Sequence, residues 1–198
     1  MKRRCKSRWC GEGDDASDAE DSSENVLQIN NSVYFYGAVD QKTFLKLIQA
    51  LNDASADAVA RSDWPCEARV YLYIHSLGGD AFVGLSAMDH IRLNRVPVIA
   101  IADGYVASAA TFMLLGASER KALQNAKILI HQLSTGFWGK YADLLDEVQN
   151  SKELMHTIKG VYRQYTCMSA QEVDRLLSKE LHMNAQDALK HGLIDEVW

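Results

Sequence analysis

VIAIADGYVASAATFMLLGA, residues Val98–Ala117, is the stretch that decides how this chain is read. Its apolar start, Val98–Ala102, has the pattern of a buried strand. Asp103-Gly104 is a turn signal. From Val106 the small and apolar residues predict a helix, with Ser108 at or near its first turn. The first N–H groups of a helix have no internal partner and are free to donate to an anion. A serine placed there holds its hydroxyl over a ready-made oxyanion site. The same residue also fits a plain helix-start serine packed among alanines, because serine favours that position.

On the N-terminal side the same grammar occurs once more. Ala68–Ile74 (ARVYLYI) predicts a strand that runs into His75-Ser76-Leu77-Gly78-Gly79-Asp80, followed by a helix to about Leu93. Strand, Gly turn and helix in succession imply a parallel βαβ unit. Both Gly turns then lie at the carboxyl ends of neighbouring strands, where open α/β sheets place their sites. A Gly-Gly pair lets backbone N–H groups face a ligand with no side chain between. Neither a G-x-G-x-x-G fingerprint nor a Walker lysine is present, so a nucleotide site is not indicated.

Further upstream, Val26–Ile29 and Ser32–Tyr36 read as short strands around Asn30-Asn31. Gln41 to about Ala60 reads as a helix whose apolar face is Phe44, Leu45, Ile48 and Leu51. Arg61–Glu67, with Pro65, is a loop. Residues 1–25 are first basic (Lys2, Arg3, Arg4, Lys6, Arg8) and then acidic and Ser-rich, which predicts a disordered charged tail.

Downstream, Lys127–Ile130 predicts a buried strand that delivers His131. Gln132–Gly139 holds two glycines and the aromatics Phe137 and Trp138. A long helix comes next over Tyr141–Tyr165, with a stripe of Tyr141, Leu144, Leu145, Val148, Met155, Ile158, Tyr162 and Tyr165. A helix of that length on so small a domain is expected to project and to serve oligomerisation. Ser169 and Glu172 form a capping-box signature for a short helix. Asn184–His191 is a second short helix, stopped by Gly192, and Leu193–Val197 a last strand.

The 198 residues are 47% apolar and 24% charged, enough for one domain with an ordinary core. A net charge of −5 gives no support for nucleic acid as the main partner. No apolar run is long enough to span a bilayer and no signal-peptide core is present, so no membrane association is expected. Cys5, Cys10, Cys66 and Cys167 show no metal-knuckle or redox-motif spacing, so no metal is expected. Free thiols without a signal segment point to a reducing compartment, the cytoplasm.

Serine nucleophiles need a base, a group that orients the base, and donors at the developing oxyanion. Of six histidines, His90 and His156 fall on helices, His191 precedes the stop at Gly192, and His75 opens the Gly-Gly loop. His131 is the best placed, since it ends a buried strand as Ser108 follows one. Taken alone, it also fits a structural strand-end histidine.

YLYIHSLGGDAFVGLSAMDHI resembles the Y-I-N-S-P-G-G stretch and helix of the ClpP-type (caseinolytic) serine peptidases. DGYVASAATFMLLGA is similar to their nucleophile stretch, LIHQL to their Met-Ile-His-Gln-Pro, and NAQDALKHGLIDEV to their terminal segment. The four stretches keep the family's order and spacing over Ser32–Trp198. The resemblance implies an α/β protein of the ClpP/crotonase fold: repeated β-β-α units with a protruding strand–helix handle, here about 132–165, in a peptidase domain over 26–198. It implies Ser108 as nucleophile, His131 as general base, and the N–H groups of Gly79 and Ala109 as oxyanion donors. Gly78, Leu133 and Gly136 would bind substrate, the Gly136 and Gly139 stretch by β-addition to an extended peptide. The family's orienting Asp falls on Glu180, and Ser-His-Glu triads are chemically competent. Asp187 and Asp195 are the other acids considered for that role.

Leu77, Ala110 and Leu133 stand where the family has Pro, Gly and Pro. The Glu and the Ala107-Ser108-Ala109-Ala110 run resemble phage and viral ClpP-like proteins. The implied function is a serine-type endopeptidase needing no cofactor. It would act on peptides or unfolded proteins inside a homo-oligomeric ring, heptameric or tetradecameric. The family's axial-loop segment, Tyr-Ser-Arg-Leu-Leu, has no counterpart, which leaves an AAA+ unfoldase partner open. The alternatives are an inactive ClpR-like structural subunit, a crotonase-type acyl-CoA enzyme, and a tail-driven binding module.

Overall fold

The computed structural model describes residues 25–198. The charged tail expected over residues 1–25 lies outside them apart from Asn25, as do Cys5 and Cys10. β1 (Val26–Ile29) and β2 (Ser32–Phe35) form an antiparallel hairpin around Asn30, which takes a left-handed φ of 54°. Asn tolerates that conformation because its short polar side chain bonds locally. α1 (Gln41–Arg61) starts at Asp40, whose side chain accepts from the Thr43 N–H while Thr43 Oγ1 accepts from the Asp40 N–H. β3 (Val70–Ser76), α2 (Ala81–Arg92) and β4 (Val98–Ala107) come next. β2, β3 and β4 lie side by side and parallel, as the repeated strand–helix grammar requires.

α1 buries Leu51 of the expected face and packs Phe44 against the core, but the buried stripe is shifted from the one expected. Leu45 is 67% exposed, while Leu47, Ala50, Leu51, Ala54 and Ala58 face the sheet. The alanines among them let the helix lie close on the strands.

The decisive stretch also departs from its pattern. The Asp103-Gly104 turn does not end the strand: β4 continues to Ala107, and Val106 is strand rather than helix. The register against β3 jumps from Ile74↔Ala102 to Ser76↔Val106, so β4 carries two extra residues in a bulge. Gly104 makes this feasible. Its φ is +77°, and a Cβ there would meet the His75 ring nitrogen at 2.7 Å. Bulges of this kind bend a strand and re-aim the residues beyond them. Before the bulge β4 pairs with β5 (Glu119–Ala122); after it, the same edge pairs with β6 (Lys127–Leu129). The next helix, α3, begins only at Ala110 and ends at Leu115.

The sheet order is β1-β2-β3-β4-β5-β8, with β6 and β7 (Met183–Asn184) branching from the second half of β4. β5 lies in a charged run with no strand pattern and is held as strand by β4 on one side and β8 on the other. β8 spans only Glu196–Val197, because Leu193 and Ile194 are committed to the core instead.

α4 (Tyr141–Tyr165) has the boundaries its periodicity predicts. Only Ile158 and Tyr162 of its residues are buried, so the C-terminal end is rooted in the core and the N-terminal half projects. Residues 130–140, expected to include the start of the handle, carry no regular secondary structure, since no neighbouring strand pairs with them. α5 (Ala170–Leu177) opens on the expected Ser169–Glu172 capping box, and α6 (Ala185–Lys190) closes near Gly192. Among the described residues no helix is long and apolar enough to cross a membrane.

Candidate active site

The bulge in β4 brings two strand ends to one place. Ala107 pairs with Leu129 in the parallel β4/β6 ladder, and the Ser108 N–H still donates to the Leu129 carbonyl at 2.9 Å. Neighbouring strands lie under about 5 Å apart. Ser108 and His131 therefore leave adjacent strands side by side. Ser108 sits between strand and helix with a φ of +54°, a left-handed conformation that costs a non-glycine residue about 1–2 kcal/mol. Such strain persists only where the surroundings impose it.

Several contacts impose it here. The Ser108 carbonyl accepts from the Thr111 N–H at 3.0 Å and from Thr111 Oγ1 at 2.6 Å. Opposite, the Gly78-Gly79 loop is held like a strand against Val39: the Val39 N–H donates to the Gly78 carbonyl and the Asp80 N–H to the Val39 carbonyl. A Cβ on Gly79 would stand 2.4 Å from the Val39 oxygen, so only glycine fits that approach. Ser76 Oγ accepts from the Gly78 N–H, and Asp80 caps α2 by accepting from Phe82 and Val83. The N–H groups on either side of Gly79 are thus committed. The Gly79 N–H itself, and that of Ala109, donate to no other group among the described residues.

One cavity of about 850 Å³ is lined by Ser108, His131, Gly79, Ala109 and Leu133. Gly78 and Gly136 do not line it; Gly78 packs behind Ser108 instead. Its walls include Phe82, Leu85, Phe112, Leu154 and Ile158, so the cleft offers apolar surface beside two free N–H donors. The chain beyond His131 is tied down by the Gln132 N–H to the Leu177 carbonyl and the Leu133 N–H to Met155 Sδ.

Glu180 does not line this cavity, is exposed, and makes no hydrogen bond to His131 or Ser108 among the described residues. Its backbone nevertheless belongs to the His131 stretch. Ile128 pairs with Met183, and Gln132 is tied to Leu177. The Leu177–Met183 side has more residues than Ile128–Gln132, so the segment carrying Glu180 bows outward between the two ties. The negative charge of Glu180 reaches Tyr105, whose phenol is raised above its ordinary pKa first by burial and then by that charge. Tyr105 packs on His182, ring centroids 5.3 Å apart. His182 has no role in the sequence pattern; its place beside Glu180 is visible only once β6 and β7 pair.

The other acids lie elsewhere. Asp187 sits on α6 and pairs with Lys190. Asp195 holds Arg120 through both carboxylate oxygens, while Arg120 also donates to the Tyr165 and Gly192 carbonyls. Asp195 is thereby a tie between β5 and the C-terminal segment. Among the described residues no group of three or more His, Cys, Asp or Glu side chains is placed to hold a metal ion.

The family described as Clp protease matches residues 15–198 of this chain. The ATP-dependent Clp protease proteolytic subunit of Deinococcus radiodurans is 32% identical over 133 residues, which is 66% of this chain and 65% of that protein. The match thus spans just under two thirds of the relative's own length. The mixed α/β architecture agrees with the fold of that family. From the motifs, the fold and these matches together, the chain belongs to the Clp protease family.

Proposed function

We propose that this protein is a ClpP-like serine endopeptidase with Ser108 as nucleophile, His131 as general base and Glu180 as the acid that orients it. The observation that carries the reading is the single cleft shared by a left-handed Ser108, His131 and two uncommitted N–H groups. Ser108 Oγ attacks the scissile carbonyl carbon as its proton passes to His131. The carbonyl oxygen becomes an oxyanion, received by the Gly79 and Ala109 N–H groups. The C–N bond then breaks, and His131 returns the proton to the departing amine. Water, deprotonated by His131, releases the acyl group and regenerates Ser108.

Substrates are peptides or unfolded segments whose apolar side chains suit the Phe82, Leu85 and Phe112 walls. They lie along residues 133–136, whose lack of a strand partner leaves room for β-addition. The exposed apolar half of α4 supports assembly into a ring, heptameric or doubled, with the sites turned to an inner chamber. An AAA+ unfoldase is the partner class that would feed folded substrates to such a chamber, although the family's axial-loop segment has no counterpart here.

The test is labelling with a fluorophosphonate, which reports an activated serine without a guessed substrate. Wild type is expected to label, Ser108→Ala and His131→Ala to lose the label, and Glu180→Ala to retain a weak one. An assembled wild type that takes no label overturns the reading.

A further inference from the structure

Thr111 and Tyr162 form a buried pair that no part of the triad chemistry uses. Thr111 is 0% and Tyr162 1% exposed, and their hydroxyl oxygens stand 2.6 Å apart. Thr111 Oγ1 also lies 2.6 Å from the Ser108 carbonyl oxygen. The carbonyl has no proton, so the Thr111 hydroxyl must donate to it. That hydroxyl then has only lone pairs to offer Tyr162, so the phenol donates to Thr111. Burial raises the Tyr162 pKa well above its ordinary value, which keeps the phenol protonated and a donor. The result is a one-way chain from Tyr162 through Thr111 to the carbonyl of Ser108.

The ends of this chain matter. Tyr162 sits at the root of α4, with its ring 5.7 Å from that of Phe112 in α3. Ser108 is the strained residue, with φ +54°. Its N–H is fixed by β6 through Leu129, and its carbonyl by Thr111. The two sides of one strained residue are therefore clamped from two different elements. Buried hydroxyls cut off from solvent hold their partners in place, and losing one leaves the other unsatisfied.

We propose that Thr111 and Tyr162 are positioning residues: their hydrogen-bonded chain holds the Ser108 carbonyl, and with it the attacking geometry of the Ser108 hydroxyl. This rests on the peptidase reading above. Tyr162 also lines the cleft and Thr111 does not, so the positioning role is read in kcat, with KM as the check that binding is intact.

The experiment compares the nearly isosteric Thr111→Val, Tyr162→Phe and their double variant with Thr111→Ser, which gives up a methyl group but keeps the hydroxyl, in the full chain. Peptidase kinetics and the fluorophosphonate labelling rate are read together with amide exchange over residues 105–113, which needs no activity. Thr111→Val is expected to lower kcat and labelling about tenfold with KM unchanged within about twofold. Tyr162→Phe is expected to cost about threefold to fivefold. The double variant should be no worse than Thr111→Val alone, because both act through one chain. Thr111→Ser keeps the hydroxyl and should stay within about twofold of wild type. Exchange at Ser108 and Thr111 should quicken in Thr111→Val and Tyr162→Phe. Unchanged labelling and exchange in both, or a double variant equal to the product of the singles, overturns the proposal. If Thr111→Val fails to fold, Tyr162→Phe and Thr111→Ser decide by the same readouts. An unlabelled wild type whose exchange still quickens in the variants overturns the peptidase reading alone.

Discussion

Gly78 packs so tightly behind Ser108 that a Cβ on Gly78 would stand 2.6 Å from the Ser108 Cβ and 2.7 Å from the Ala107 carbonyl oxygen. Its φ of +96° is also one that side-chain-bearing residues avoid. Gly78→Ala meets both penalties at once, strain and overpacking, each about 1–3 kcal/mol. Denaturant unfolding is expected to show a loss of about 2 kcal/mol or more, and labelling to fall more than about tenfold. Gly136 is the control in the same experiment. A Cβ there meets nothing within 4 Å, so Gly136→Ala should leave stability within about 0.5 kcal/mol of wild type.

Glu180 lies across from the His131 stretch but is turned outward in a segment that bows between the Gln132–Leu177 and Ile128–Met183 ties. The proposed orienting role therefore requires a carboxylate of sufficient reach. Glu180→Gln keeps the shape and removes the charge that, in the proposed triad, stabilises imidazolium. Its kcat is expected to fall about a hundredfold or more at unchanged KM. Glu180→Asp, one methylene shorter, should retain part of the rate. Asp187→Asn, paired with Lys190 on α6, should change kcat less than about twofold. A Glu180→Gln protein with full activity would reduce the triad to a Ser108–His131 dyad.

Much of this architecture is legible in the sequence, and the departures share one cause. α4 is readable because a long stripe at helical spacing admits one interpretation, and α5 because Ser169 and Glu172 write their reciprocal cap in the sequence. Ser108 and His131 stand out because each follows a buried apolar run. The end of β4 is not readable, because Asp103-Gly104 carries a local turn signal, whereas its role is a bulge against His75, a residue 28 positions away. β5 and β7 are hidden because ERKA and Met183-Asn184 have no strand pattern of their own; their partners impose it. The Tyr162–Thr111 chain is invisible for the same reason, since Tyr162 looks like one more residue of an apolar stripe. Local chemistry is written in the sequence, and contacts between distant segments are not.

The Asp40 cap ties stability to pH. The Thr43 N–H, bonded to its carboxylate, is the main reason the Asp40 pKa lies below its ordinary 3.8. A carboxyl group lowered on folding stabilises the native state above the unfolded value, and that contribution is lost as pH falls through the folded one. The window is therefore at and below about pH 4. Asp40→Ala is expected to cost about 1 kcal/mol at neutral pH. The gap between variant and wild type should narrow as the pH is taken from about 5 to about 2. Thermal melts across that range measure it; a gap that stays constant would mean the carboxylate's charge contributes nothing to the cap.

The projecting half of α4 presents Tyr141, Leu145 and Val148 at 77%, 53% and 51% exposure, with Leu144 beside them and Trp138 nearby at 97%. Positions 141, 144, 145 and 148 fall on one face of the helix. In the proposed assembly this face is the interface, since leaving it in water forgoes about 25 cal/mol for every Å² that a partner covers. The other end of the same helix is anchored by buried Ile158 and Tyr162, so substitutions at the tip can weaken assembly without unfolding the protomer. Leu145→Asp with Val148→Asp puts two like charges into that face. Analytical ultracentrifugation is expected to show a drop from the wild-type mass to a smaller species, with thermal stability of the protomer within a few degrees of wild type. An unchanged mass would show that assembly does not run through this face. A wild type already monomeric at micromolar concentration would overturn the ring itself. Labelling of the smaller species then separates assembly from chemistry: if Ser108 still reacts, the cleft is complete within one chain.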